Sequence, residues 1–420
     1  MADRLKQKVI EFLRYDKPFP VALLDSFRLR DWQQLLPWLD ASGLAFYFLK
    51  HLEGLDGTGV LPPPILVRLQ RNREDNRERS SRFLEEMRLI HHRFDSSGVD
   101  FAVLKGYSLV PEYCSDPASR HQCDLDYLVA EEDVHLAGDV LRVLGYSRAH
   151  SAPASFTFTR RAGDLPRRKD IYKAGLNSSV ELHPSVWDNN DVAKLEQLPD
   201  IWTRCQSHQV AGLVFPVLSP EDQFIHQCTH VLSHVLQFWL RLAWLYEIAS
   251  FLHSMRSELV FWRAVQDRIG EREYIGKAVH LVTFLAATIF GAEAPQINGD
   301  YPVLRLWVNR YGQQWAMHNL PGSKLSLFLF PDFMGRNRWQ RLQRQRLLPV
   351  HWPHSATQLN PAEPRRSWAA RLAEYRYAVQ RLAFHIREGW RYLREKPNWQ
   401  RRLAAAKEAV RYEGLATVTQ

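Results

Sequence analysis

The sequence predicts an α+β protein, in which a small group of β-strands lies between an N-terminal and a C-terminal helical region. Residues 1–98 place apolar side chains at helical spacing among many charges. Residues 99–183 instead contain short runs in which apolar and polar residues alternate, as in strands. Helical spacing returns after Ser219-Pro220-Glu221-Asp222, a typical helix start, because serine caps free amides while proline and acids suit the first turn.

This pattern divides the chain into five predicted regions. They are an N-terminal helical region (1–98), an α/β core (99–218), a helical region packed on the core (219–292), an irregular proline-rich segment (293–364) and basic C-terminal helices (365–420). The fourth region is expected to be irregular because prolines recur throughout it.

Individual elements follow from the same periodicities. Strands are predicted at Phe101–Leu104, Cys123–Val129, Phe156–Thr159 and Val180–His183. Helices are predicted at 107–114, 131–144, 222–238, 239–255, 272–291 and 365–412. Pro397 is expected to split the last of these, because proline disrupts a helix interior. Before it, one apolar stripe runs from Trp368 to Ile386.

The composition is that of a globular protein. The chain has 420 residues, of which 45% are hydrophobic and 24% charged, which excludes a disordered or collagen-like chain. Four scattered cysteines exclude a disulfide framework and a CxxC metal site, so we predict a reducing, cytoplasmic location. No uninterrupted run of about 18 apolar residues occurs, and we therefore predict neither a membrane span nor a membrane partner.

Positive charge is concentrated at the C-terminal end. The whole chain carries +9, but residues 331–420 contain 18 Lys and Arg against 7 Asp and Glu. Such a region, with its interleaved Trp and Tyr, is typical of RNA contact, and residues 336–411 are the predicted surface. The alternative is an arginine-rich helix face that is simply solvated.

Two aspartates on one predicted strand form the first candidate site. Asp124 and Asp126 stand at i and i+2, so their side chains project to the same face. Like charges this close repel, and a divalent cation such as Mg²⁺ relieves that repulsion. An Asp-x-Asp pair also occurs as ordinary strand-end acids, so its surroundings must decide.

A lysine–glycine turn supplies that context. Lys105 and Gly106 end one predicted strand, and Tyr107 and Ser108 begin the next predicted helix. Glycine lets a phosphate approach the backbone, helix amides favour anions, and lysine adds a point charge. Arg120 can add another positive charge or hold the aspartate strand. The turn and the acids together predict a site for a nucleoside triphosphate and two metal ions.

Glu181 is the predicted third acid. It alternates with Val180 and Leu182, which places Glu181 and His183 on one strand face. If this strand neighbours the aspartate strand, Glu181 reaches the same metals. The alternative is a solvent-facing Glu181 paired with an arginine, in which case Asp170 is the next candidate.

These motifs resemble a known family. The stretch VLKGYSLVPEYCSDPASRHQCDLDYLV, followed by VELHPSVWD, is similar to the uncharacterised nucleotidyltransferases named nucleotidyltransferase family 5, within the DNA polymerase β-like superfamily. The matching positions are Leu104, Lys105, Gly106, Tyr113, Arg120, Asp124, Asp126, Glu181 and His183. The resemblance extends over residues 25–350. It implies a small mixed sheet bearing three carboxylates, flanked by helices, and metal-dependent nucleotidyl transfer.

The resemblance has two departures. The superfamily's usual Gly-Ser or Gly-Gly turn is Gly106-Tyr107-Ser108 here, which leaves the role of the Ser108 hydroxyl open. The spacing from the lysine–glycine turn to the aspartates is longer than in classical polymerases. It is closer to that of the toxin-like nucleotidyltransferases.

Three histidines need separate treatment. His226, His230 and His234 share one face of a predicted helix, as metal ligands do, but no fourth ligand is adjacent. We therefore expect them to pack against the core or line the nucleotide cleft. Substrate contact is predicted for His183, His230, His234 and Arg241.

The predicted function is nucleotidyl transfer. Asp124, Asp126 and Glu181 are the predicted catalytic residues and metal ligands, for two Mg²⁺ or alternatively Mn²⁺ ions. Lys105, Gly106, Tyr107, Ser108 and Arg120 are the predicted binding residues for a nucleotide such as ATP. The acceptor is a hydroxyl, phosphate or amine of a small molecule, RNA or protein. The alternative is an RNA-binding or catalytically inactive relative that uses the basic C-terminal region.

Overall fold

A computed structural model describes most of the chain, in two units. The described residues are 2–152, 155–160, 171–173, 178–187, 198, 200–237, 240–295, 297, 299, 301–317, 323–347 and 368–418. Unit 1 comprises Met1–His234 and Leu240–Gly299, and unit 2 comprises Val235–Trp239 and Asp300–Gln420. The five-region division of the chain stays a prediction.

Unit 1 contains helices on both sides of the strand segments along the chain. They are α1 (Ala2–Phe12), α2 (Leu29–Ser42), α3 (Ala45–Gly54), α4 (Pro63–Ser97), α5 (Val134–Val143), α6 (Pro220–Leu236), α7 (Leu242–Met255), α8 (Leu259–Ile269) and α9 (Glu273–Phe290). The long helix α4 begins with Pro63 in its first turn, where proline needs no amide partner, and ends at Gly98 with φ +70°.

One mixed sheet forms the core of unit 1. Its strands are β1 (Phe101–Val103), β2 (Asp124–Val129), β3 (Ser147–Ala152), β4 (Ser155–Arg160), β5 (Ser178–His183), β6 (Gln206–Val210) and β7 (Leu213–Val217). Their order is β3-β4-β5-β2-β1-β7-β6. The pairs β2–β5 and β1–β7 are parallel, and the remaining pairs are antiparallel. This arrangement confirms the predicted α+β fold with a mixed sheet between helices.

Alternation along the central strands gives the sheet two different faces. Leu125 and Tyr127 of β2, and Val180 and Leu182 of β5, belong to one buried apolar cluster. Helices α4 and α5 close that cluster with residues such as Phe83, Met87, Ala137 and Leu141. Because successive side chains of a strand point to opposite faces, the acids of β2 and β5 project away from this core.

The β6–β7 hairpin was not predicted. It turns at Ala211 and Gly212, which both have positive φ, as a two-residue hairpin turn requires. The glycine and the alternating Leu213, Phe215 and Val217 are the sequence signals for it.

The helix expected over 107–114 is wrong. The chain makes only a short 3-10 turn at Gly106–Leu109. Val110 is extended, with φ −96° and ψ 134°, because Pro111 follows it and proline disfavours helical backbone at the preceding residue.

Unit 2 corrects two further expectations. The described part of 293–364 contains α10 (Pro302–Met317), α11 (Phe330–Phe333) and α12 (Arg336–Leu347), since proline is tolerated in a first helical turn. The C-terminal helix α13 (Trp368–Val418) continues through Pro397 instead of splitting there. Proline removes one hydrogen bond, and the rest of the helix holds.

Helix α9 is long and apolar enough to cross a membrane, with mean hydropathy 1.2. It is 67% buried inside the structure, however, and buried core helices of soluble proteins can be as long and as apolar. The cytoplasmic location stays a prediction.

Candidate active site

Strand pairing brings the second aspartate and the third acid together. In the parallel register of β2 and β5, Asp126 lies opposite Glu181, and Asp124 lies opposite Ser179. His183 follows on the same face of β5, with Nε2 3.1 Å from Asp126 Oδ1 and 3.6 Å from Glu181 Oε2. Glu181 therefore lies beside Asp126 and His183 with its side chain 28% exposed, and the alternative of an arginine-paired Glu181 stays open.

These three side chains can hold a divalent metal. Ligand atoms of Asp126, Glu181 and His183 all lie within 4.8 Å of one another, which within the described ranges makes them a candidate metal group. Carboxylate oxygens suit Mg²⁺ and Mn²⁺, and an imidazole nitrogen suits Mn²⁺ and later transition metals. The donor set therefore fits a divalent cation.

Lys105 neutralises Asp126 in this arrangement. Its Nζ donates a hydrogen bond of 2.9 Å to Asp126 Oδ1, and both side chains are almost fully buried. Burial by itself disfavours the charged carboxylate, but Lys105 and His183 outweigh it and hold the pKa of Asp126 below its usual value. Asp126 is thus an ion-paired carboxylate.

Asp124 is in the opposite electrostatic state. Burial, followed by the negative charge of Asp126, raises its pKa to about 8. Asp124 lies on the same strand face but outside the group of three ligand atoms. The pKa values of the two carboxyls on this strand are therefore shifted in opposite directions, up for Asp124 and down for Asp126.

The turn after β1 approaches this acid pair. Gly106 has φ +69°, a left-handed conformation that glycine adopts without strain. The Gln122 side chain occupies the space that a Cβ at this position would need, and its Nε2 donates to Asp124 O over 2.8 Å. The glycine thereby allows the lysine turn and the start of β2 to pack directly together.

Two side chains of the turn have different surroundings. The Tyr107 hydroxyl donates to Ser80 O over 2.6 Å and is 2.9 Å from Ser80 Oγ, so this side chain anchors the turn to α4. The Ser108 hydroxyl is buried and has no hydrogen-bond partner in the described part of the chain. The role of the Ser108 hydroxyl in phosphate binding stays a prediction.

Arg120 is committed to a structural ion pair. Its Nε lies 3.1 Å and 3.2 Å from the two carboxylate oxygens of Glu247 on α7, which also accepts from Tyr47 over 2.6 Å. All three side chains are buried or nearly so. Of the two predicted roles for Arg120, this geometry fits the one that holds the aspartate strand in place.

Helix α4 supplies anchors that the motif analysis missed. Asn76 Nδ2 donates to the carbonyls of Ala118 and Arg120, and Arg79 Nε donates to the carbonyl of Gln122. These bonds satisfy the backbone of the segment that enters β2. In the sequence, these anchors could be recognised from the polar residues that recur on the apolar face of α4, namely Asn72, Asn76, Arg79 and Glu86.

Arg241 lies beside the start of β2, close enough to Asp124 for the two charges to interact. It donates to His121 O over 3.2 Å and contacts Cys123 Sγ at 3.4 Å. Burial raises the pKa of the Cys123 thiol, but His121 and Arg241 outweigh that effect and lower it well below 9.

The α6 histidines form an aromatic cluster. The ring centroids of His230 and His234 lie 5.0 Å and 4.8 Å from that of Trp244, and His226 Nδ1 is 3.2 Å from Val186 O. This arrangement matches the expectation of core packing. Their contact with substrate stays a prediction, and the reserve candidate Asp170 lies outside the described residues.

Comparisons with known proteins agree with this geometry. Residues 28–291 match the family described as uncharacterised nucleotidyltransferase. No curated protein and no solved structure gives a significant match. The family match spans the sheet, the lysine–glycine turn and all the acids described above, which is more than half of the chain. The protein therefore belongs to the uncharacterised nucleotidyltransferase family.

Proposed function

We propose that this protein transfers a nucleoside monophosphate from a nucleoside triphosphate, with ATP the first to test, to a hydroxyl, phosphate or amine acceptor. The observation that carries the proposal is the pairing of Asp126 with Glu181 on adjacent parallel strands, with Lys105 bonded to Asp126. Carboxylates opposed at this spacing, beside a cationic turn, are suited to phosphoryl chemistry.

The bound divalent metal would neutralise triphosphate charge and activate the acceptor as a Lewis acid. Asp126, Glu181 and His183 would hold this metal, and Asp124, once ionised, would add a fourth possible ligand. Two ions, Mg²⁺ or Mn²⁺, fit the proposal, because a triphosphate supplies further oxygen ligands.

The chain's other residues bind and orient the nucleotide. Lys105 turns from Asp126 to a phosphate oxygen, and the Ser108 hydroxyl and the backbone amides at Gly106 and Tyr107 complete the phosphate contacts. Arg120 holds β2 through Glu247, at a distance from the reacting atoms.

Glu181 is the proposed base for the acceptor. Its side chain is 28% exposed, whereas that of Asp126 is 5% exposed. An acceptor arriving from solvent therefore meets Glu181 before Asp126. A carboxylate within hydrogen-bond reach of the acceptor can take its proton during transfer.

The test is a transfer assay with the full chain. Each radiolabelled triphosphate is incubated with Mg²⁺ or Mn²⁺ and with fractions of cell RNA, protein or metabolites. The expected result is label transfer with pyrophosphate release by the wild type. Asp126→Asn should abolish transfer, whereas Glu132→Gln, at an exposed acid just after β2, should not.

Two outcomes would contradict the proposal. One is transfer that persists in Asp126→Asn. The other is a wild type that transfers nothing with any fraction and binds triphosphate identically with or without metal. That second result would favour the inactive or RNA-binding alternative.

A further inference from the structure

Helix α13 carries two apolar faces, and the described residues of unit 2 cover one of them. Ala378, Tyr392 and Trp399 are buried within unit 2. The ring centroid of Phe328 lies 4.7 Å from that of Tyr392 and 5.3 Å from that of Trp399. These contacts bury one side of the helix.

The second face is an exposed apolar stripe, which we call the outer stripe. Its members are spaced three, four or seven residues apart, and they are between 44% and 78% exposed. They are Trp368, Tyr375, Val379, Ile386, Trp390 and Leu393. At about 100° per residue they fall within roughly 60° of the helix circumference, and at 1.5 Å per residue they extend about 38 Å.

A row of arginines runs beside the outer stripe. Arg376, Arg387, Arg394 and Arg401 are all exposed and lie about 80° further round the helix than the stripe. They flank it on the side away from the buried face. The exposed surface of α13 is therefore amphipathic and cationic, apart from its contacts within unit 2.

In contrast to the prediction of no membrane partner made from the composition, we propose that the outer stripe docks on a bilayer surface that contains anionic lipids. The arginines match the negative charge of such a surface, and long cationic side chains reach headgroups from a helix lying in the interface. Trp and Tyr are enriched at the membrane–water interface, and three of the six residues of the outer stripe are Trp or Tyr. The helix would lie along the membrane without crossing it.

A second copy of the chain fits this face less well. A coiled coil needs side chains on both flanks of its apolar seam to interlock with the partner. On one flank Ala378 and Tyr392 are already buried within unit 2. On the other flank, the arginine rows of two copies would add like charge along the seam.

RNA also fits less well. Proteins that bind single-stranded nucleic acid combine a cationic groove with aromatic rings on which successive bases stack. The aliphatic Val379, Ile386 and Leu393 interrupt the aromatic residues of the stripe and cannot stack. Hydrocarbon accepts aliphatic and aromatic side chains alike.

The test is co-sedimentation of the full chain with vesicles of phosphatidylcholine alone or with about 30% phosphatidylserine. We expect binding to the phosphatidylserine vesicles that weakens with salt, and at least tenfold weaker binding to phosphatidylcholine alone. The triple variant Ile386→Ser, Trp390→Ser, Leu393→Ser should lose at least tenfold in affinity. Arg387→Gln and Arg394→Gln should each lose about fivefold.

The matched control removes exposed apolar side chains elsewhere. Leu259→Ser with Val260→Ser, at positions 65% and 80% exposed on α8, should leave vesicle binding unchanged. Circular dichroism checks that every variant is folded. Three outcomes would overturn the proposal: no binding to the anionic vesicles, a dimer in sedimentation velocity that the triple variant dissociates, or binding of a single-stranded RNA oligonucleotide that the triple variant abolishes while vesicle binding persists.

Discussion

Lys105 and a metal ion compete for the same carboxylate oxygen, which makes Lys105→Met an informative change. Lys105 Nζ is 2.9 Å from Asp126 Oδ1, and the Lys105 and Asp126 side chains are 12% and 5% exposed. A cation that takes Asp126 Oδ1 as a ligand has to compete with Lys105 for that oxygen. A bound triphosphate eases that competition, because it offers Lys105 a new anionic partner.

The gain in metal affinity expected for Lys105→Met follows from the distance between Lys105 and Asp126. At an effective dielectric constant of about 20, charges 2.9 Å apart attract by about 6 kcal/mol. Desolvation of both groups offsets most of this, and charged hydrogen bonds retain about 1.5–3 kcal/mol net. Lys105→Met should therefore bind the metal alone about 10- to 100-fold more tightly than the wild type, and nucleotide more weakly.

Calorimetric titration with Mn²⁺, with and without a non-cleavable α,β-methylene triphosphate, measures both affinities. In the wild type each ligand should tighten the other by the same factor, and in Lys105→Met that factor should shrink. The control is Lys6→Met, which removes an equal charge from the surface pair with Asp3. Weaker or unchanged binding of the metal alone by Lys105→Met would refute the competition.

Three further predictions concern neighbouring residues. Because the pKa of Asp124 is raised to about 8, metal binding at pH 6–7 should release about one proton, and metal affinity should rise with pH until about pH 8. Calorimetry in buffers of different ionisation enthalpy measures this release, which Asp124→Asn should abolish. Leu125→Ala truncates the apolar face of β2 and should lower the free energy of unfolding by about 2–5 kcal/mol in urea titrations; a change below 1 kcal/mol would mean that the two strand faces are misassigned. Arg120→Met leaves the buried Glu247 without its cationic partner and should lower the free energy of unfolding by about 3–5 kcal/mol. Adding Glu247→Met to this variant should restore part of that loss. A double variant no more stable than Arg120→Met would show that the pair is not coupled.

Local patterns predicted much of the sheet and of the candidate site. Alternation along Asp124–Val129 and Val180–His183 correctly separates the residues that face the core from those that project away from it. It also places Glu181 and His183 on one face, where the structure brings both to Asp126. These features depend on residues close together in sequence.

Features that depend on distant partners could not be predicted in this way. The Arg120–Glu247 pair joins residues 127 positions apart, and nothing local to either one indicates the other. The sequence predicts substrate contact for His183, and only the register of β2 against β5 places its nitrogen within reach of both acids. At Pro397 the local rule for proline predicts a break that does not occur. Helix α13 continues there, and Tyr392 before the proline and Trp399 after it are both buried.

The anchoring of β2 by α4 determines where the protein can be cut. Asn76 and Arg79 supply donors to the carbonyls of Ala118, Arg120 and Gln122, and Glu86 accepts from Ser178 of β5. A fragment beginning at residue 99 would expose those carbonyls and remove one wall of the sheet. The strands that bear the acids therefore cannot be transplanted on their own, and any shortened or fused version of this protein has to keep α4 joined to its sheet.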